Sequence, residues 1–154
     1  MYSFRNDYSE GAHPKVLQAL ADTNLRQTVG YGMDPCCQAA ADTIRRLCAA
    51  PDAAVHFLVG GTQVNLVTID AFLQSYEAVV AAQTGHVSTH ETGAIEATGH
   101  KVCTVESPDG KLTPALVESV LAGHNGTEHM VLPRMVYISD TTEIGTVYTR
   151  AELA

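Results

Sequence analysis

The pattern of hydrophobic and polar positions divides the chain at about residue 54. Over residues 1–53, an N-terminal arm is followed by apolar residues at helical spacing, and Pro14 and Asp34-Pro35 are typical helix starts. Over residues 54–154, short apolar runs alternate with helical stretches. Such alternation is typical of βαβ units, and it predicts an α/β fold in three layers, with a mostly parallel sheet flanked by helices.

The second part of the chain contains four predicted strands, at 54–59, 78–82, 101–105 and 135–139. Helices are predicted from about Thr62, from Glu91 to Thr98, and from Thr113-Pro114 to Gly123. A capping box, Thr149-Arg150-Ala151-Glu152, predicts one more helix start. Because the chain stops at Ala154, within the first turn of that helix, we expect it to be a fragment of a longer protein.

The charge balance excludes a large class of partners. The chain carries 9 Lys and Arg against 17 Asp and Glu, a formal charge of −8, and it has no basic cluster for a nucleic acid backbone. Neither a signal peptide nor an apolar run of membrane-spanning length is evident. The four cysteines lack C-x-x-C spacing and are interpreted as small buried residues in a reducing compartment. These features favour a cytoplasmic protein that handles a small molecule and binds neither membranes nor nucleic acids.

The most distinctive segment is the turn after the first predicted strand. The apolar run ends at Gly60-Gly61, and Thr62 begins a helical pattern. The free N–H groups of a helix N-terminus bind phosphate or carboxylate, and both glycines can adopt positive φ and let an anion approach. Without a nearby lysine, the turn is not a nucleotide-binding P-loop. From the local residues alone, a tight structural turn is the favoured interpretation.

His86 follows the strand 78–82, so it should lie at the same edge of the sheet as the glycine turn. Its imidazole is suited to stacking on a flat cofactor, to acid–base chemistry or to metal binding, and a solvated loop histidine is the alternative. His90 and Glu91 are close in sequence, but no third ligand has convincing spacing, so we predict no metal site. No G-x-S-x-G nucleophile motif is present.

Taken together, the motifs resemble those of the low-specificity L-threonine aldolases, in the β-eliminating lyase group of fold-type I pyridoxal-phosphate enzymes. They are Phe4-Arg5-Asn6-Asp7, Gly30-Tyr31-Gly32-Met33-Asp34, the segment 57–65 (FLVGGTQVN), the segment 84–94 (TGHVSTHETGA) and the segment 137–146 (YISDTTEIGT). The resemblance covers the chain in order. It implies the N-terminal part of a PLP-dependent transferase-like large domain, with the remainder absent.

The resemblance also implies roles for individual residues. Gly60, Gly61 and Thr62 would bind the phosphate of pyridoxal 5′-phosphate, and His86 would be catalytic and stack on its ring. Many relatives have a serine in place of Gly60, so one hydroxyl contact is missing here.

On the substrate side, the resemblance implies three further residues: Asn6 near the carboxylate, Tyr31 donated across a dimer interface, and Glu91 as an acidic neighbour. Thr142 stands where some relatives carry a second active-site histidine, so a base role for that histidine does not transfer.

The activity implied is cleavage of a β-hydroxy amino acid, converting threonine to glycine and acetaldehyde, in a homodimer or homotetramer. The lysine that links to the cofactor and the aspartate that pairs with its ring nitrogen would lie beyond Ala154. We therefore expect the 154 residues alone to be inactive. The alternatives are another β-eliminating lyase of the same fold, or a truncated module that only binds or assembles.

Overall fold

The computed structural model describes residue 3, residue 6, residues 8–124 and residues 126–154. The chain forms two compact units, Met1–Phe57 and Leu58–Ala154. No helix in the described part of the chain is both long and apolar enough to cross a membrane.

The first unit contains two helices, α1 (Pro14–Thr23) and α2 (Pro35–Leu47). Pro14 lies in the first turn of α1, and the Asp34 carboxylate accepts hydrogen bonds from the backbone N–H groups of Cys36 and Cys37, as the sequence predicts. Ala41 is the one buried residue of these two helices. The apolar stripe of α1, which includes Leu17, is exposed.

The second unit is built on three parallel strands, β1 (Glu77–Ala82), β2 (Lys101–Val105) and β3 (Leu132–Val136). They lie in the order β2-β1-β3, with β1 at the centre. All residues of β1 from Ala78 to Ala82 are buried, as the uninterrupted apolar run predicts for a central parallel strand. The predicted α/β fold with a parallel sheet is therefore confirmed.

Five helices accompany these strands. They are α3 (Gly61–Phe72), α4 (His86–Thr89), α5 (Ala94–Ala97), α6 (Pro114–Gly123) and α7 (Arg150–Leu153). Helix α6 is capped by Thr113, and α7 opens with the predicted capping box, in which Thr149 and Glu152 bond to each other's backbone N–H.

The helices cover both faces of the sheet because side chains alternate along β1. Val79 and Ala81 face a cluster formed with α3, α4 and α5, which includes Ile69, Val87 and Ile95. Ala78 and Val80 face the opposite way, towards Cys103 and two valines of α6, Val117 and Val120. The result is the predicted three-layer arrangement.

The predicted strand at 54–59 is wrong. This segment has no regular secondary structure, and no described strand pairs with it, although its residues are apolar and β-branched. Val59 is almost fully exposed. A β-strand requires a hydrogen-bonded neighbour, and an apolar pattern cannot supply one.

Two boundaries also differ from prediction. The predicted strand at 135–139 begins earlier, at Leu132, because Pro133 is accommodated where the register with β1 shifts. The predicted helix Glu91–Thr98 is reduced to the single turn α5, which begins after Gly93 in the left-handed conformation, with φ of 75°. The single turn α4 lies before the predicted bounds and was not predicted.

Candidate active site at the carboxyl edge of the sheet

The loops that follow the three strands meet at one edge of the sheet because the strands are parallel. The Thr146 hydroxyl donates to the backbone carbonyl of Asp109 at 2.6 Å, which joins the loops after β2 and β3. Gly110, with φ of 73°, lies where a Cβ would come within 3.3 Å of both Thr142 and Thr84. The three loops therefore form one packed surface.

His86 is the first residue of α4, immediately after a tight turn in which the Gly85 N–H donates to the Ala82 carbonyl at 2.8 Å. A side chain on Gly85 would come within 3.0 Å of the same carbonyl. The turn places the imidazole beside Glu91, with 2.6 Å between Nδ1 and Oε1. The His86 side chain is 37% exposed and the Glu91 side chain 0%, so the ring has a buried partner at Nδ1 and remains partly exposed.

Asn65 is the third member of this cluster. Its Nδ2 donates to the same Oε1 of Glu91 at 2.5 Å. Asn65 lies in α3, so the helix that begins at the glycine turn is tied to His86 through Glu91. The sequence prediction gave Asn65 no role, although an amide between Val64 and Leu66 was a visible signal.

The second carboxylate oxygen of Glu91 is unsatisfied. Oε2 is buried and has no hydrogen-bond partner in the described part of the chain. Such groups are uncommon in folded proteins because burial removes the water that would otherwise bind them.

The glycine turn is open in front of the first turn of α3. Gly60 is the N-cap residue with extended backbone, φ −174°, and no described side chain caps the helix. Neither glycine uses the positive φ that a glycine permits. A Cβ on Gly60 or Gly61 would meet no protein atom within 4 Å. Neither conformation nor packing therefore requires glycine here, and the space that a side chain would fill at either position is clear of protein atoms.

Further polar residues lie in the loops at this edge of the sheet. The His90 ring centroid lies 5.5 Å from that of His86, and His90 Nε2 is 4.0 Å from a carboxylate oxygen of Glu143. Thr142 is buried, and its hydroxyl is 2.7 Å from that of Thr146, so it organises the loop. In the described residues, no group of three or more His, Cys, Asp or Glu is arranged to hold a metal ion.

The remaining predicted site residues belong to the first unit. Asn6 Oδ1 accepts hydrogen bonds from the Tyr8 N–H at 3.2 Å and from the Ser9 hydroxyl at 2.5 Å. Tyr31 is fully exposed, with φ of 62°. The other residues of the first motif, Phe4, Arg5 and Asp7, lie outside the described residues.

Comparisons with known proteins agree on one family. The β-eliminating lyase family model matches residues 4–154. The low specificity L-threonine aldolase of Pseudomonas sp. is 36% identical over 152 residues, which are 97% of this chain and 43% of that protein. The enzyme of the same description from Pseudomonas aeruginosa is 35% identical with the same coverage.

Among solved structures, the threonine aldolase of Leishmania major superposes with a TM-score of 0.95 at 57% identity, over 99% of this chain and 44% of that one. The chain thus spans less than half the length of the relatives that it matches. With the family model matching nearly all of its residues, this chain belongs to the β-eliminating lyase family.

Proposed function

We propose that the whole protein is a pyridoxal-phosphate-dependent lyase that cleaves β-hydroxy amino acids, with threonine giving glycine and acetaldehyde. Family membership and the threonine aldolase relatives support this class of reaction. The observation that carries the proposal is the link from α3 through Asn65 and Glu91 to His86. This link connects the open N-terminus of α3 to the His86 imidazole at one edge of the sheet. The helix N-terminus suits the phosphate of a flat cofactor, and the imidazole suits its ring.

The glycine turn fits a phosphate on physical grounds. Helix α3 has 12 residues, and its dipole and free N–H groups favour an anion at its first turn. The space that a Cβ would fill at Gly60 and Gly61 is clear of protein atoms, and the Thr62 hydroxyl adds a further donor. We propose that these three residues bind the cofactor phosphate.

His86 is proposed to lie against the cofactor ring. Its imidazole is held at Nδ1 by a buried carboxylate and is partly exposed, and both features are compatible with a ring that stacks on a cofactor. The cofactor, when bound, supplies the electron sink that makes bond cleavage at Cα of an amino acid possible. The contribution of this chain is to bind the phosphate and to orient the imidazole.

Tyr31 and Asn6 are proposed to complete the substrate side in a homodimer or homotetramer, as the family resemblance implies. The Tyr31 side chain is fully exposed, which leaves it available to a second subunit. A cytoplasmic location is proposed with this assignment.

The test is turnover of L-threonine with added pyridoxal phosphate, with acetaldehyde measured by a coupled dehydrogenase. In a protein that extends to the length of the relatives, we expect acetaldehyde to form, and His86→Ala should slow its formation and alter the absorbance of the bound cofactor. His124→Ala is the matched control, since His124 lies at the C-terminus of α6, away from the carboxyl edge. Cofactor binding without turnover of any β-hydroxy amino acid would instead favour the binding module, and a silent His86→Ala would refute the assignment of His86.

A further inference from the structure

We propose that Asn65 and Glu91 form a buried positioning pair that sets the tautomer and the orientation of the His86 imidazole. In this role Glu91 acts on His86 and does not contact the substrate, in contrast to the role implied by the family resemblance. The inference deepens the proposed function, because His86 is the residue placed against the cofactor ring. The pair itself is a property of the chain and requires no bound group.

The two hydrogen bonds to Glu91 have fixed directions. Glu91 Oε1 is 2.5 Å from Asn65 Nδ2 and 2.6 Å from His86 Nδ1. An amide nitrogen can only donate, and an ionised carboxylate can only accept. With Glu91 ionised, the proton between Oε1 and His86 therefore belongs to Nδ1.

A proton on Nδ1 determines the state of the other ring nitrogen of His86. A neutral imidazole carries one proton, so an Nδ1–H leaves Nε2 with its lone pair free. Because Nδ1 is fixed on a fully buried carboxylate, the ring cannot flip without breaking that bond. His86 thus has a fixed plane, and its unprotonated nitrogen is Nε2.

The carboxylate of Glu91 is better explained by its contact with His86 than by stability. A carboxylate whose Oε2 is buried without a partner in the described chain is a poor choice for stability alone. A leucine of similar size would fill the same space without an unsatisfied oxygen. What a leucine cannot do is accept the Nδ1–H of His86, so the positioning of His86 accounts for the carboxylate. Asn65 supports it by occupying the same oxygen from α3.

The experiment is a long-range ¹H–¹⁵N imidazole spectrum of the protein labelled with ¹⁵N-histidine, at a pH where the imidazoles are neutral. His86→Gln identifies the His86 signals. In the wild-type protein we expect the Nδ1–H pattern for His86. Glu91→Leu should abolish it and give the Nε2–H-dominated mixture of a free imidazole, and Asn65→Leu should give a partial loss. Glu91→Gln, whose amide oxygen still accepts, should retain the pattern.

His124 provides an internal control in the same spectrum. Its Nδ1 is 2.8 Å from the Val120 carbonyl, which can only accept, so it should show the Nδ1–H pattern in the wild type and in every variant that folds. An Nε2–H pattern for His86 in the wild type would overturn the proposal, as would a His86 pattern unchanged by Glu91→Leu while His124 is intact. If Glu91→Leu also disturbs the His124 pattern, that variant has lost its fold, and the Asn65→Leu variant becomes the test. An unchanged His86 pattern in Asn65→Leu would then refute the positioning pair.

The spectrum is recorded without added cofactor, so its result tests the positioning pair independently of the proposed function. A chain with the expected tautomers that fails to bind the cofactor would refute the proposed function and leave the positioning pair intact. A chain that binds the cofactor with His86 as the Nε2–H tautomer would do the reverse.

Discussion

Replacing Gly61 by valine should leave the stability of the folded chain nearly unchanged while it weakens phosphate binding at the N-terminus of α3. A side chain at this position meets no protein atom within 4 Å, and the backbone is not left-handed. Surface substitutions of this kind usually change the free energy of unfolding by at most about 0.5 kcal/mol. Wild type and variant should therefore unfold at nearly the same urea concentration.

The effect on binding should be much larger. The valine side chain would occupy the space in front of the Gly61 and Thr62 N–H groups and displace a phosphate from one or both. Each hydrogen bond to a charged group contributes about 1.5–3 kcal/mol, so the loss of one bond should raise the dissociation constant about 10- to 150-fold.

The assay is a fluorescence titration with pyridoxine 5′-phosphate. This compound retains the ring and the phosphate but has an alcohol in place of the aldehyde, so it cannot condense with the lysines of the chain, Lys15, Lys101 and Lys111. Gly123→Val is the matched control, because a Cβ there also meets no protein atom within 4 Å. Unchanged affinity in Gly61→Val would refute the phosphate site, and a loss of stability above about 2 kcal/mol would refute the claim that the fold does not need this glycine.

Two further predictions concern stability. Ile95 is 0% exposed in the cluster between the sheet and α3. Ile95→Ala should therefore lower the free energy of unfolding, measured by urea denaturation, by about 2–5 kcal/mol. A loss below about 1 kcal/mol would contradict the placement of Ile95 in this core. The Thr149 N–H and the Lys111 ammonium lower the pKa of Glu152 from 4.5 to about 2. Ionised Glu152 therefore stabilises the folded chain above pH 4.5, and this contribution is lost as the pH falls towards 2. Glu152→Gln should remove that part of the acid sensitivity in thermal unfolding, and an identical pH profile in the variant would contradict the assignment.

Local sequence signals predicted most of the fold. The capping residues Asp34, Thr113 and Thr149 and the buried apolar run of β1 each act over a few neighbouring positions, so their structures follow from their own residues. The segment 54–59 was wrongly predicted as a strand because pairing depends on a neighbour that the pattern does not reveal.

The candidate site was predictable only in part. Glu91 and His86 are five residues apart, and the family resemblance singled out both. Asn65 is 26 residues from Glu91, and its contact depends on how α3 packs beside α5. For Gly60 and Gly61, only the structure shows that the conformation is ordinary and that a Cβ at either position would meet no protein atom within 4 Å.

The most direct test of the site is a ¹H–¹⁵N amide titration of the protein with pyridoxine 5′-phosphate. The account predicts that the amide signals of Gly61 and Thr62 and the imidazole signals of His86 shift together, with one dissociation constant. Shifts confined to other residues, or shifts of the glycine turn that leave His86 unchanged, would contradict the claim that one cofactor spans the N-terminus of α3 and the imidazole of His86.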